Sequence, residues 1–78
     1  MPRRLSVADR AMHVRHLEQA ERHVAEGERR IAEQEHRIHD LARRGHDVTM
    51  AKGLLDEFCA SQDLFIQHRD DIQKALEP

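Results

Sequence analysis

The sequence predicts an all-α protein: a long antiparallel two-helix hairpin, coiled-coil-like, that dimerises into a four-helix bundle. Three observations carry this expectation. Leu17, Val24, Ile31 and Ile38 recur at seven-residue spacing, and Ala20, Gly27, Gln34 and Leu41 each follow three residues later. That alternation lays a mostly apolar stripe along one side of a long helix. A second helical stretch follows, separated from the first by one cluster of stop and start residues, Arg43-Arg44-Gly45-His46-Asp47. Composition agrees: 36% of the residues are charged and only 3% are aromatic, the profile of long helices. Intrinsic disorder is the rival reading for so polar a chain, and the sustained heptads argue against it.

The chain of 78 residues makes one small domain, spanning 1–78. A chain this short buries only about 60% of its unfolded surface, so its core is marginal without a disulfide, a metal or a partner subunit. Cys59 is the only cysteine, which excludes a disulfide within one chain and fits a reducing cytoplasm. The opening MPRRLSVADR has no apolar stretch of the secretory type, and no apolar run approaches membrane-spanning length. The expected location is therefore cytoplasmic. Net charge is −2, but the two halves differ. Residues 1–44 hold ten arginines against eight acids, and residues 45–78 hold three basic residues against seven acids. Opposite signs suit two segments that lie side by side.

The first helix is expected over about 6–43. Ser6 is placed to accept from the backbone N–H of Asp9, with Asp9 reaching back in a variant of the capping box. Pro2, Arg3 and Arg4 precede it and are expected to fray. Along the exposed side, Glu18–Arg22, Glu26–Arg30, Glu33–Arg37 and Asp40–Arg44 stand four residues apart, each worth about 0.2–0.5 kcal/mol. One flank of the seam is acidic at Glu21, Glu28 and Glu35; the other is basic at His16, His23, Arg30, Arg37 and Arg44. The turn is expected at 44–47. Arg43 and Arg44 face the negative helix end, Gly45 suits the left-handed position past it, and Asp47 caps the next helix. So short a connection makes the helices antiparallel neighbours.

The second helix is expected over about 48–76. Its seam is Val48, Ala51, Leu55, Phe58, Gln62, Phe65, Arg69, Ile72 and Leu76, flanked by further apolar residues at Leu54, Cys59, Ile66 and Ala75. Folding at Gly45 with large residues set against small ones pairs Leu41 with Ala51, Gln34 with Phe58, Gly27 with Phe65 and Ala20 with Ile72. The intervening layers are Ile38 with Leu55, Ile31 with Gln62, Val24 with Arg69 and Leu17 with Leu76. Alternating volumes serve close packing, Gly27 becomes the seat of the Phe65 ring, and Arg69 finds Glu21. In this register the second helix ends opposite about Val14, leaving Leu5, Val7, Ala8 and Met12 overhanging. The candidate interface is therefore Leu54, Cys59, Ile66, Leu5 and Met12. A homodimer covers this surface; an unidentified protein partner is the other occupant.

Chemistry-bearing constellations are weak. His13-x-x-His16 and His36-x-x-His39 have metal-compatible spacing, and Glu33-x-x-His36 matches the element found in di-iron bundles. Glu33 and His36 fall on the outer side, however, so no metal and no cofactor is expected and the histidines read as solvated. His16, His23 and His68 flank the seams, where charging near pH 6 would alter association. Cys59 has no histidine placed to activate it and reads as a small interfacial residue. No glycine-rich phosphate loop is present, so no catalytic residue is named and no enzyme is expected. A basic end at Arg3, Arg4, Arg10 and Arg15 supports nucleic-acid binding as the alternative. The acidic balance and the absence of a stacking set weigh against it.

The run Ala20-Glu21-Arg22-His23-Val24-Ala25-Glu26-Gly27-Glu28-Arg29-Arg30-Ile31, then Gly45-His46-Asp47 and Ala51-x-x-Leu54-Leu55-x-x-Phe58, resembles a group of uncharacterised short proteobacterial helical-hairpin proteins. The similarity covers roughly residues 13–72. It implies a helical hairpin and a bacterial cytoplasmic origin, and it carries no activity. The expected function is a non-catalytic protein–protein interaction or adaptor module that self-associates.

Overall fold

The computed structural model describes residues 5–78. Two helices account for nearly all of them: α1 (Val7–Arg43) and α2 (Thr49–Leu76). They pack against each other as a hairpin with extents of 59 × 19 × 14 Å. The radius of gyration is 17.8 Å, against about 11–12 Å for a compact domain of this length. A single layer of two helices has no enclosed interior, and the burial pattern follows from that. Ala20, Val24 and Ile72 are the only buried apolar residues among those described, and no large side chain is fully enclosed.

Local chemistry sets the ends of the helices. The Ser6 hydroxyl oxygen accepts from the Asp9 N–H at 3.1 Å, as the sequence leads one to expect. α1 stops in a Schellman turn: Gly45 N–H donates to the Ala42 carbonyl and His46 N–H to the Leu41 carbonyl, both at 3.0 Å. Gly45 has φ 79°, the left-handed value that a Cβ disfavours. At the start of α2, the Asp47 carboxylate accepts from both the N–H and the hydroxyl of Thr49, at 2.9 and 2.7 Å. Helical geometry begins one residue later than expected, with Val48 as the flanking residue. Asp47 still supplies the capping oxygen. Both Thr49 bonds stabilise the carboxylate form and hold its pKa below the usual 3.8.

The heptad phase of α1 holds throughout. Leu17, Ala20, Val24, Gly27, Ile31, Gln34, Ile38 and Leu41 are all buried or half-buried. On α2 the seam departs from expectation at one layer: Ile66 is half-buried, whereas Phe65 remains 36% exposed. Its ring lies 5.4 Å from that of His23, at the edge of the interface.

The register also differs from the volume-matched one, by a helical turn or more. Gln62 lies against Gly27, so closely that a Cβ there would collide with its Oε1. Phe65 was the expected occupant of that seat and Ile31 the expected neighbour of Gln62. The Gln62 amide donates to the Val24 carbonyl at 2.8 Å, and the Gln34 amide donates to the Ala51 carbonyl at 2.9 Å. The physical reason lies in these two glutamines. The volume-matched register would bury one amide against Phe58 and the other against Ile31, unpaired at about 1–3 kcal/mol each. The shifted register places each beside a carbonyl of the opposite helix, and that outweighs the better alternation of volumes. The far end shifts with it: Arg10 Nη1 donates to the Leu76 carbonyl at 3.2 Å. α2 therefore ends opposite Arg10 rather than Val14, and the N-terminal overhang is about a turn shorter than expected.

Surface pairing is partial. Arg30 meets Glu26 at 3.2 Å, and Asp40 holds both Arg43 and Arg44, at 2.8 and 3.6 Å. Glu18–Arg22 and Glu33–Arg37 do not close. Arg69 pairs with the adjacent Asp70 at 3.0 Å instead of reaching Glu21.

Candidate interaction surface

Heptad geometry gives the hairpin two unlike flanks. On one, α1 presents His16, His23, Arg30, Arg37 and Arg44, and α2 presents Leu54, Ser61 and His68. On the other, α1 presents Glu21, Glu28 and Glu35, and α2 presents Lys52, Cys59 and Ile66.

A groove, made of adjoining depressions that share lining residues, runs along the first flank. Near the turn it is lined by Gln34, Arg37, Leu41, Met50, Ala51 and Leu54. It continues past Arg30, Arg44 and Phe58, again beside Gln34, Arg37 and Leu41. It ends among His23, Gly27, Glu57, Gln62 and Phe65, beside the same Arg30 and Phe58. Apolar residues along it remain open to solvent: Leu54 is 41% exposed and Met50 90%. Leu64, outside the lining, is 67% exposed. Gln62 Oε1, buried at the floor, has no hydrogen-bond partner among the described residues. It faces the Gly27 Cα, a weak donor at most. On the second flank a depression near the turn is bounded by Glu35, Lys52 and Asp56.

The interface candidates fall on both sides. Leu54 lines the groove. Cys59 and Ile66 stand about 120–140° around α2 from it, on the other flank, so the three do not form one patch. Cys59 is exposed as a free thiol. Ile66 lies half-buried within the hairpin itself, Leu5 is half-buried and Met12 is 39% exposed. Phe65, Met50 and Leu64 were not among the candidates. For Met50 and Phe65 the phase of Leu54 carries the only signal, since the three are spaced by four and eleven residues, both helical repeats.

Of the basic end, Arg3 and Arg4 lie outside the described residues. Arg10 is engaged with the Leu76 carbonyl, and Arg15 is exposed. Among the described residues no three His, Cys, Asp or Glu side chains come together as a metal ion would require. The His13 ring bonds the Asp9 carbonyl at 2.8 Å. No described helix is long and apolar enough to cross a membrane. No family model, curated protein or solved structure matches the chain.

Proposed function

We propose that the chain is a non-catalytic protein–protein interaction module that self-associates, its working form a pair of hairpins assembled as a four-helix bundle. The observation that carries this reading is the imbalance of apolar surface. Only three apolar side chains among those described, Ala20, Val24 and Ile72, are buried while Leu54, Leu64, Phe65 and Met50 stay open. Two helices cannot enclose a core, whereas four can, and a second copy is the partner always present at matching concentration.

Sedimentation equilibrium tests it. A dimer at micromolar concentration is expected, with a Tm that rises with protein concentration because association stabilises the folded chain by mass action. A monomer at tens of micromolar, with concentration-independent melting, would sink the reading.

A further inference from the structure

We propose that the grooved flank is the face through which two copies meet, with a two-fold axis parallel to the helices, so that α1 of each copy lies along α2 of the other. This rests on the self-association proposed above and assigns its surface. Charge selects between the two flanks. A dimer across the second flank would set Glu21, Glu28 and Glu35 of α1 against the partner's Asp56, Asp63 and Asp70, with Lys52 and the Arg69 that pairs with Asp70 as the compensating cations on α2. Like charges in facing rows oppose association. On the grooved flank the acids Glu26, Glu33, Asp40 and Glu57 are interleaved with Arg30, Arg37 and Arg44, so no unbroken acidic row faces another, and the flank carries the apolar Leu54, Phe58 and Phe65.

Symmetry then fixes the pairing. An axis parallel to the helices keeps equivalent residues at equal height, so α1 meets the partner's α2 in the same register as its own. Within one hairpin, Arg30 and Glu57 border the same end of the groove, and His23 stands beside Phe65. Across the dimer, Arg30 therefore faces Glu57 of the partner subunit, twice by symmetry. Among the described residues Glu57 closes no ion pair and is available to that contact, while Arg30 is already held by Glu26 beside the groove. Arg37, also without an ion pair among the described residues, lies at the height of Met50 and Leu54, where its aliphatic stem covers the partner's apolar row.

Two exposed-site variants, R30E and E57R, test the assignment, with circular dichroism confirming that each stays helical. Each alone places like charges at both contacts and is expected to weaken dimerisation about tenfold at low salt. Mixed together, the carboxylate introduced in R30E meets the guanidinium introduced in E57R at one contact. At the other, the Arg30 that E57R retains meets the Glu57 that R30E retains. The heterodimer should then exceed both homodimers, which a contact within one chain cannot produce. Cys59, on the outer flank, should resist oxidative cross-linking within the native dimer. Variants that dimerise like the native chain, a mixture without heterodimer preference, or rapid Cys59 cross-linking within one dimer would overturn the face and leave self-association standing. A monomeric native chain would instead overturn the reading beneath it.

Discussion

Gly27 and Gly53 both sit inside helices, yet a methyl group means opposite things at the two. At Gly53 nothing lies within 4 Å of an added Cβ. Gly53→Ala should stabilise the protein by about 1 kcal/mol through helix propensity alone. At Gly27 the same methyl would strike the Gln62 amide and part it from the Val24 carbonyl. That loss exceeds the propensity gain, and Gly27→Ala should cost about 1–2 kcal/mol net. Urea titration of the two variants beside the native chain reads both signs. Asp47 makes the third residue-scale point. Its pKa is held below 3.8 by the hydroxyl and N–H of Thr49, so its folded state binds a proton less readily than the unfolded chain. The stabilisation is complete above pH 3.8 and is lost as pH falls through the depressed value. The stability gap between the native chain and Asp47→Asn, followed by denaturation from about pH 6 to about pH 2, should close on acidification. A constant gap would show that the carboxylate is not the capping group.

At the level of the elements, each helix lends one glutamine to the backbone of the other: Gln34 to Ala51 and Gln62 to Val24. Buried amides in a helical seam commonly select a register at some expense of stability. The double variant Gln34→Leu, Gln62→Leu should therefore keep its stability within about 1 kcal/mol while losing its single pairing. More than one set of backbone amide resonances is the expected result. One sharp set in the native register would show that the turn alone fixes the alignment. These glutamines also mark the limit of what the residues disclose unaided. The phase of α1 from Leu17 to Leu41, the Ser6 cap and the Gly45 turn were all legible, because each depends on neighbours close in sequence. The register was not. Side-chain volumes favour one alignment and amide hydrogen bonding another, and only the second pairs Gln34 and Gln62. The same distance from local rules explains the surface. Apolarity singles out Leu54, but apolarity alone also groups Cys59 and Ile66 with it across two different flanks, and seam position alone encloses Phe65.

For the whole molecule, the shape governs the energetics. A layer 14 Å thick cannot surround large side chains, so stability is shared between the helical backbone, the half-buried seam and the two glutamines. The basic flank beside the groove and the acidic flank behind it give the hairpin a front and a back. That asymmetry makes a closed pair the natural product of self-association and disfavours open-ended stacking, since a third hairpin would have to approach rows of glutamate and aspartate.

The turn at Gly45 also gives the molecule a direction in time. The side-chain bonds that bridge its helices join residues 17, 38 and 66 positions apart, nested one inside the next. Closing a loop costs more as it lengthens, but each bond in a nested series closes only the short increment left by the one before. Assembly is therefore expected to run outward from Leu41 and His46, through Gln34 and Ala51, then Val24 and Gln62, reaching Arg10 and Leu76 last. Opening runs the other way. The two ends of the hairpin are thus a hinge and a mouth, and the free mouth is where the chain first comes apart.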